Sequence, residues 1–276
     1  MKESQIKLLE KLAQYKYLTT SQMHRLGILK HKQGLYQILR ELKDSSKSKI
    51  DFKNFGIAPG IGKLESFYFL TKHGIDFLIN DLEYEDEIKA PIGNSSLFAR
   101  DYFHRKYTVD FYIYLDSFLN ENNGHIDFLD YYFDKVGNNR VNGNLRAKNK
   151  IDLNAEGSYI IPDIVTQFKA RDNDFLFLFE QHNGKDTKKL IKQLYNHLLV
   201  LEQGSASTKY KFHKSNRVVV VFEFESIKKA TMKRLSELET FKPFNKFFIF
   251  KTNKELENND FLNNWSLING EKTTFI

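Results

Sequence analysis

Cysteine is absent from the 276 residues, and proline occurs only four times. Without cysteine there is no disulfide framework and no zinc site built on thiolates, which fits a reducing compartment, so a cytoplasmic location is expected. Long apolar runs are also missing. No stretch reaches the roughly 18 apolar residues of a membrane-spanning helix, and the N-terminal MKESQIKLLEKL has no uninterrupted apolar core of a secretory leader. There is no internal repeat, no Gly-rich phosphate loop and no cofactor fingerprint. What is present is a globular composition: 41% hydrophobic and 28% charged residues, on a chain long enough for two cores. The 25 Phe and 14 Tyr fall mostly at strand and helix-face positions, where packing accounts for them.

Charge is distributed unevenly. Residues 1–80 hold fourteen Lys/Arg against seven Asp/Glu, a net of +7, and the rest of the chain balances. A basic excess confined to one module predicts a polyanionic partner, with double-stranded DNA the first candidate and no role for a membrane.

That module, residues 1–80, has a pattern of its own. Ile6, Leu9 and Leu12 predict a helix over about 4–15. Thr19 with Gln22 forms a capping box, and Leu18 with Met23 has the spacing of a hydrophobic staple, so a second short helix begins here. Gly27 ends it. A third helix at about 32–44 carries Leu35, Ile38, Leu39 and Leu42 on one face. Lys30, His31, Lys32, Gln33, Gln37 and Arg40 occupy its start and its polar face. Two strands follow, at 49–55 and 64–70, and the turn-rich loop between them bears Lys63. Thr71 then caps a fourth helix running to about 80. This is the layout of a winged helix-turn-helix with a basic recognition helix, and the alternative use of such a module is protein contact alone. Residues 81–94, acidic and then containing Pro and Gly, read as a linker.

Residues 95–276 predict an α/β domain. Ser95 or Ser96 caps a long helix to about 119. Strands are expected at 126–133, 160–168, 175–182, 218–224 and 247–251, with helices at about 186–202 and 226–239. The unbroken apolar runs 175–179 and 218–222 suggest strands covered on both faces of a mixed sheet. Residues 135–151 read as a basic Gly/Asn-rich loop, in which Arg140, Arg146 and Lys148 are candidate phosphate contacts.

Pro162-Asp163 is expected on one strand, and Glu180 near the end of the next. Two carboxylates brought together on paired strands are candidate ligands for Mg²⁺ or Mn²⁺ and candidate catalytic groups for phosphodiester cleavage, with His182 and Asp110 as further candidates. The pattern resembles the PD-(D/E)xK nuclease core, in which a lysine stands two residues after the second acid. Here that position is His182. A histidine of ordinary pKa, about 6.5, is mostly uncharged at neutral pH and makes a poor substitute for a fixed cation, so the expectation leans away from catalysis.

The chain as a whole resembles the plasmid replication-relaxation family, which includes MobC-type mobilisation accessory proteins. The resemblance rests on Tyr17-Leu18-Thr19-Thr20-Ser21-Gln22, Tyr68 to Gly74, His104 with Val109-Asp110, Pro162-Asp163, Glu180-x-His182-x-Gly184 and Lys192-x-x-Tyr195. It departs from the family at His182, where an acidic residue is usual. The resemblance implies a winged helix followed by a restriction-endonuclease-like domain, in a relaxosome component acting with a relaxase or replication initiator at a plasmid origin during mobilisation, conjugation or replication. A homodimer is a further expectation. The competing functions are a metal-dependent endonuclease targeted by the winged helix and a transcriptional regulator sensing a ligand.

Overall fold

The computed structural model describes residues 1–89, 91, 102–137, 146–155, 157–258 and 260–276. They form a mixed α/β protein that divides into two compact units, Met1–Ile113 and Tyr114–Ile276. No helix among the described residues is long and apolar enough to cross a membrane.

The N-terminal unit begins with α1 (Glu3–Tyr15), α2 (Thr20–Arg25) and α3 (Lys32–Lys43). The capping box at α2 is present: the Thr19 hydroxyl accepts from the Gln22 backbone N–H at 3.3 Å, and the Thr19 N–H donates to Gln22 Oε1 at 2.8 Å. Leu18 and Met23, the staple pair, are fully buried, and so is Leu35 of α3; Ile38, Leu39 and Leu42 are nearly so. β1 (Ile50–Lys53) pairs antiparallel with β4 (Phe67–Leu70), while β2 (Ile57–Ala58) and β3 (Gly62–Lys63) form a hairpin between them. Leu18 bridges to Tyr68 on the other edge of β4.

Thr71 caps α4 (Lys72–Leu82) by accepting the Gly74 N–H at 3.2 Å. Glycine is required at 74 by proximity: a Cβ there would stand 2.1 Å from the Lys49 carbonyl oxygen. Glu83 ends α4 in the left-handed region, at φ 52°. Ser95 and Ser96, the expected caps of the long helix, lie outside the described residues, as do residues 90 and 92–94 of the expected linker. The long helix is described as α5 (Tyr102–Glu121), and the division between the units falls within it.

In the C-terminal unit the elements are β5 (His125–Tyr131), β6 (Lys135–Val136), β7 (Arg146–Ala147), β8 (Ile151–Asp152), β9 (Tyr159–Ile160), β10 (Ile164–Ala170), β11 (Asn173–His182), α6 (Thr187–Gln203), α7 (Ser205–Tyr210), β12 (Arg217–Phe222), α8 (Glu225–Ser236), a 3-10 helix (Glu239–Phe247), β13 (Phe248–Thr252), α9 (Asn253–Glu257), β14 (Trp265–Ser266) and β15 (Lys272–Thr273). Seven of the strands build one sheet in the order β15-β14-β13-β12-β11-β10-β5. β10 pairs antiparallel with both of its neighbours, β5 and β11; β12 and β13 continue parallel to β11, with α6 and α8 as the crossovers.

Side-chain alternation along the strands divides the core. On one face Val218, Val220, Phe222, Phe248 and Phe250 pack with Leu190, Leu194 and Leu198 of α6 and Leu235 of α8. Aromatic contacts link Phe118 of α5 to Phe261 and Phe275, and Phe275 in turn to Phe168 and Phe177.

Two expectations are corrected. The strand expected over 160–168 is two elements, β9 and β10, and Pro162-Asp163 lies between them rather than on a strand. Pro162 has no N–H to donate to a ladder, so a continuous strand is interrupted there. Within the expected loop over 135–151, β6 and β7 pair with each other, Lys135 opposite Ala147, and residues 138–145 lie outside the described residues.

Candidate functional site

Two sets of residues carry the predicted chemistry, one in each unit. On α3, apolar residues at helical spacing turn Leu35, Ile38, Leu39 and Leu42 inward. The opposite stripe therefore faces water: Lys32, Gln33, Tyr36, Gln37 and Arg40 are all exposed, as are Lys30 and His31 just before the helix. Glu41 belongs to the same stripe. It accepts from Gln5 at 2.8 Å, Lys2 at 3.3 Å and Gln37 at 3.0 Å, and these partners hold its carboxyl below the usual range, Gln37 contributing most. Gln37 is thus engaged by a neighbour on its own helix. Lys63 is exposed on β3.

Asp110 belongs to the N-terminal unit. It is buried, and its carboxylate accepts from Gln22 Nε2 at 2.8 Å, from Lys106 Nζ at 3.2 Å and from the Arg25 guanidinium. Gln22 thus caps α2 with one end of its amide and holds α5 with the other. These partners give Asp110 a structural task.

In the C-terminal unit, the β10–β11 register runs Ile164 opposite Phe179, which sets Asp163 beside Glu180 at the end of the ladder. The Asp163 N–H donates to the Phe179 carbonyl at 2.9 Å, and its Oδ2 accepts the Gln181 N–H at 2.7 Å. Asp163 therefore straddles Glu180 and uses its side chain to complete the backbone pairing that Pro162 interrupts.

Glu180 is buried and faces α6. Gln193 and His197, one helical turn apart, both donate to it: Gln193 Nε2 to Oε2 and His197 Nε2 to Oε1, each at 2.6 Å. His197 has no exposed surface. Burial drives its pKa down to about 4, against the opposing field of Asp163, so the imidazole is neutral and meets Glu180 as a hydrogen-bond donor rather than an ion-pair partner. His182, two residues along β11, shares the Glu180 face, with its ring 5.9 Å from that of Phe222.

Reasoning from sequence missed Gln193 and His197. Their signal is two polar residues at i, i+4 inside the apolar stripe Leu190, Leu194, Leu198. Of the residues that the resemblance quoted from this helix, Lys192 and Tyr195 are exposed.

The carboxylate oxygens of this set are shared with N–H donors, which compete with a cation for their lone pairs. Both Glu180 oxygens and one Asp163 oxygen are already committed to N–H donors, and no group of three or more His, Cys, Asp or Glu side chains among the described residues is arranged to hold a metal ion. Mg²⁺ needs several oxygen ligands with free lone pairs.

Of the basic loop, Arg146 is exposed on β7, and Lys148 is paired with buried Asp130 at 2.8 Å. Arg140 lies outside the described residues. No protein-family model matches the chain, and no curated protein or solved structure matches it either.

Proposed function

We propose that the chain is a DNA-binding accessory protein of plasmid mobilisation or replication. Its N-terminal unit is a winged helix that lays α3 in a major groove. Its C-terminal unit is a restriction-endonuclease-like domain that works as a scaffold, recruiting a relaxase or replication initiator to the origin. The observation that carries the reading is the exposed stripe Lys32, Gln33, Tyr36 and Arg40 on a helix of the module that holds the chain's charge excess. Support for the rest comes from order. Three helices, a strand, a hairpin, a strand and a helix follow one another in the first unit; in the second, α5 and β5 precede the short strands β6 to β9, then come the antiparallel pair β10 and β11, the helices α6 and α7 and the parallel strand β12. Binding through phosphates releases counterions, so affinity falls steeply with salt. The test is a gel shift of the full chain on duplex DNA over a range of salt, with Lys32→Ala/Arg40→Ala beside it. Weaker binding and a shallower salt slope in the variant are expected; equal affinity at every salt concentration removes this docking.

A second reading, a metal-dependent endonuclease, draws on the adjacency of Asp163 and Glu180. The engagement of Glu180 by Gln193 and His197 argues against it, as does the loss of a fixed cation at 182, which costs on the order of 10²–10³ in rate when such a contact is removed. Incubating supercoiled plasmid with the protein and Mn²⁺ or Mg²⁺ separates the two. Nicking that disappears in Asp163→Ala favours the nuclease.

A further inference from the structure

The most exposed large apolar side chains among the described residues sit together on the β2–β3 hairpin. Ile57 is 78% and Ile61 64% exposed. Water-facing isoleucines forgo the burial that otherwise drives their placement, and two of them on one short hairpin, Ile57 on β2 and Ile61 in the turn, present an apolar surface to solvent.

The hairpin is built to hold them out. Ile57 pairs with Lys63 and Ala58 with Gly62; the Leu64 N–H donates to the Gly56 carbonyl at 2.9 Å and the Ile61 N–H to the Ala58 carbonyl at 3.2 Å. Gly56, Gly60 and Gly62 all have positive φ, at 75°, 75° and 91°, and Pro59 lies between the first two. Such backbone angles fold the chain back tightly at no steric cost, and β-branched side chains add a stiff χ1.

We propose that this tip is an apolar wedge for the minor groove of duplex DNA, in which Ile57 and Ile61 lean on a base step and part its stacking while Lys63 meets the backbone. The proposal rests on the DNA-binding reading above. Three arguments favour DNA over other occupants. The module carries the whole net charge of +7, and Lys53 on β1, just before the hairpin, and Lys63 on β3 are exposed. Two isoleucines fall far short of the roughly 800 Å² per partner that a stable protein interface uses. And Ile is among the side chains that serve as wedges between base steps, bending the duplex.

The experiment uses the full chain and short fluorescent duplexes, one with central TA steps and one G·C-rich, reading affinity by anisotropy and bending by end-to-end energy transfer. Native protein should bind and bend, more readily at the flexible TA steps. Ile57→Ala/Ile61→Ala should keep its melting temperature and its salt slope, lose the bend, and bind about tenfold more weakly. Lys63→Ala should keep the bend and lower the salt slope by about one. A double isoleucine variant that bends and binds like the native protein overturns the wedge and leaves the DNA-binding reading standing. Native protein that binds neither duplex removes that reading, and the wedge with it. Binding of native but not variant protein to phosphatidylcholine vesicles, with the DNA bend unchanged, reassigns the tip to a lipid surface and overturns the proposal.

Discussion

Glu180 and His197 are joined inside the C-terminal unit by a 2.6 Å hydrogen bond from the imidazole Nε2 to carboxylate Oε1. The imidazole is neutral because burial holds its pKa down, to about 4 from an ordinary 6.5. In the unfolded chain the same histidine takes up a proton below about 6.5, so the unfolded state binds more protons across the interval between the two values. Stability is therefore greatest above pH 6.5 and is lost as pH falls towards 4, by on the order of 3 kcal/mol from this group. His197→Gln keeps a donor for Glu180 but does not titrate. Urea unfolding from pH 7 to pH 4 should show native stability falling more steeply than the variant's. Parallel curves would mean that His197 takes up its proton equally in the folded and unfolded states, so that folding does not lower its pKa.

Gly74→Ala places a methyl group 2.1 Å from the Lys49 carbonyl oxygen, a contact with backbone rather than with a flexible side chain. Overpacking of this kind costs about 1–3 kcal/mol. The expected outcome is a lower melting temperature. Ala at an exposed position of the same helix, such as Asn80→Ala, serves as the control and should change little. A Gly74→Ala protein as stable as the native one would show that the α4 start can shift freely.

Gln22 joins the cap of α2 to Asp110 through one amide. Gln22→Glu keeps an oxygen for the Thr19 N–H but turns the Asp110 side of the contact into carboxylate against carboxylate. Leaving a buried acceptor unsatisfied costs about 1–3 kcal/mol, so the single variant should be destabilised by that order. Asp110→Asn restores a donor, and the double variant should recover part of the loss. Additive costs in this cycle would show that the two residues do not interact.

Much of the fold is legible in the residues because local rules act at short range. The capping box at Thr19 and Gln22, the leucine stripe of α3 and the apolar runs of β11 and β12 each carry their period or their spacing within a few positions. Pro162-Asp163 was misplaced on a strand because the pattern of apolar residues on either side outweighed one missing N–H. Gln193 and His197 were overlooked for a different reason. A polar residue inside an apolar stripe has no meaning until the strand packed against it is known, and that partner, Glu180, lies 13 and 17 residues away, on another element. The short strands β14 and β15 carry too few residues to show alternation at all. The pair Asp163 and Glu180 was legible as an adjacency, whereas what their oxygens bond to was not.

The two ends of the seven-stranded sheet have a consequence for how the protein behaves in a crowded solution. A row of unpaired N–H and C=O groups on a long outer strand is a template on which another chain can grow. Here one outer strand, β15, spans only Lys272–Thr273. The other, β5, alternates partly covered Ile126 and Phe128 with exposed His125 and Asp127, which pair with each other at 3.2 Å. Any strand laid against that margin would have to strip water from a charged side chain. The apolar ladder of β11, β12 and β13 thus stays in the middle of the sheet, away from both margins.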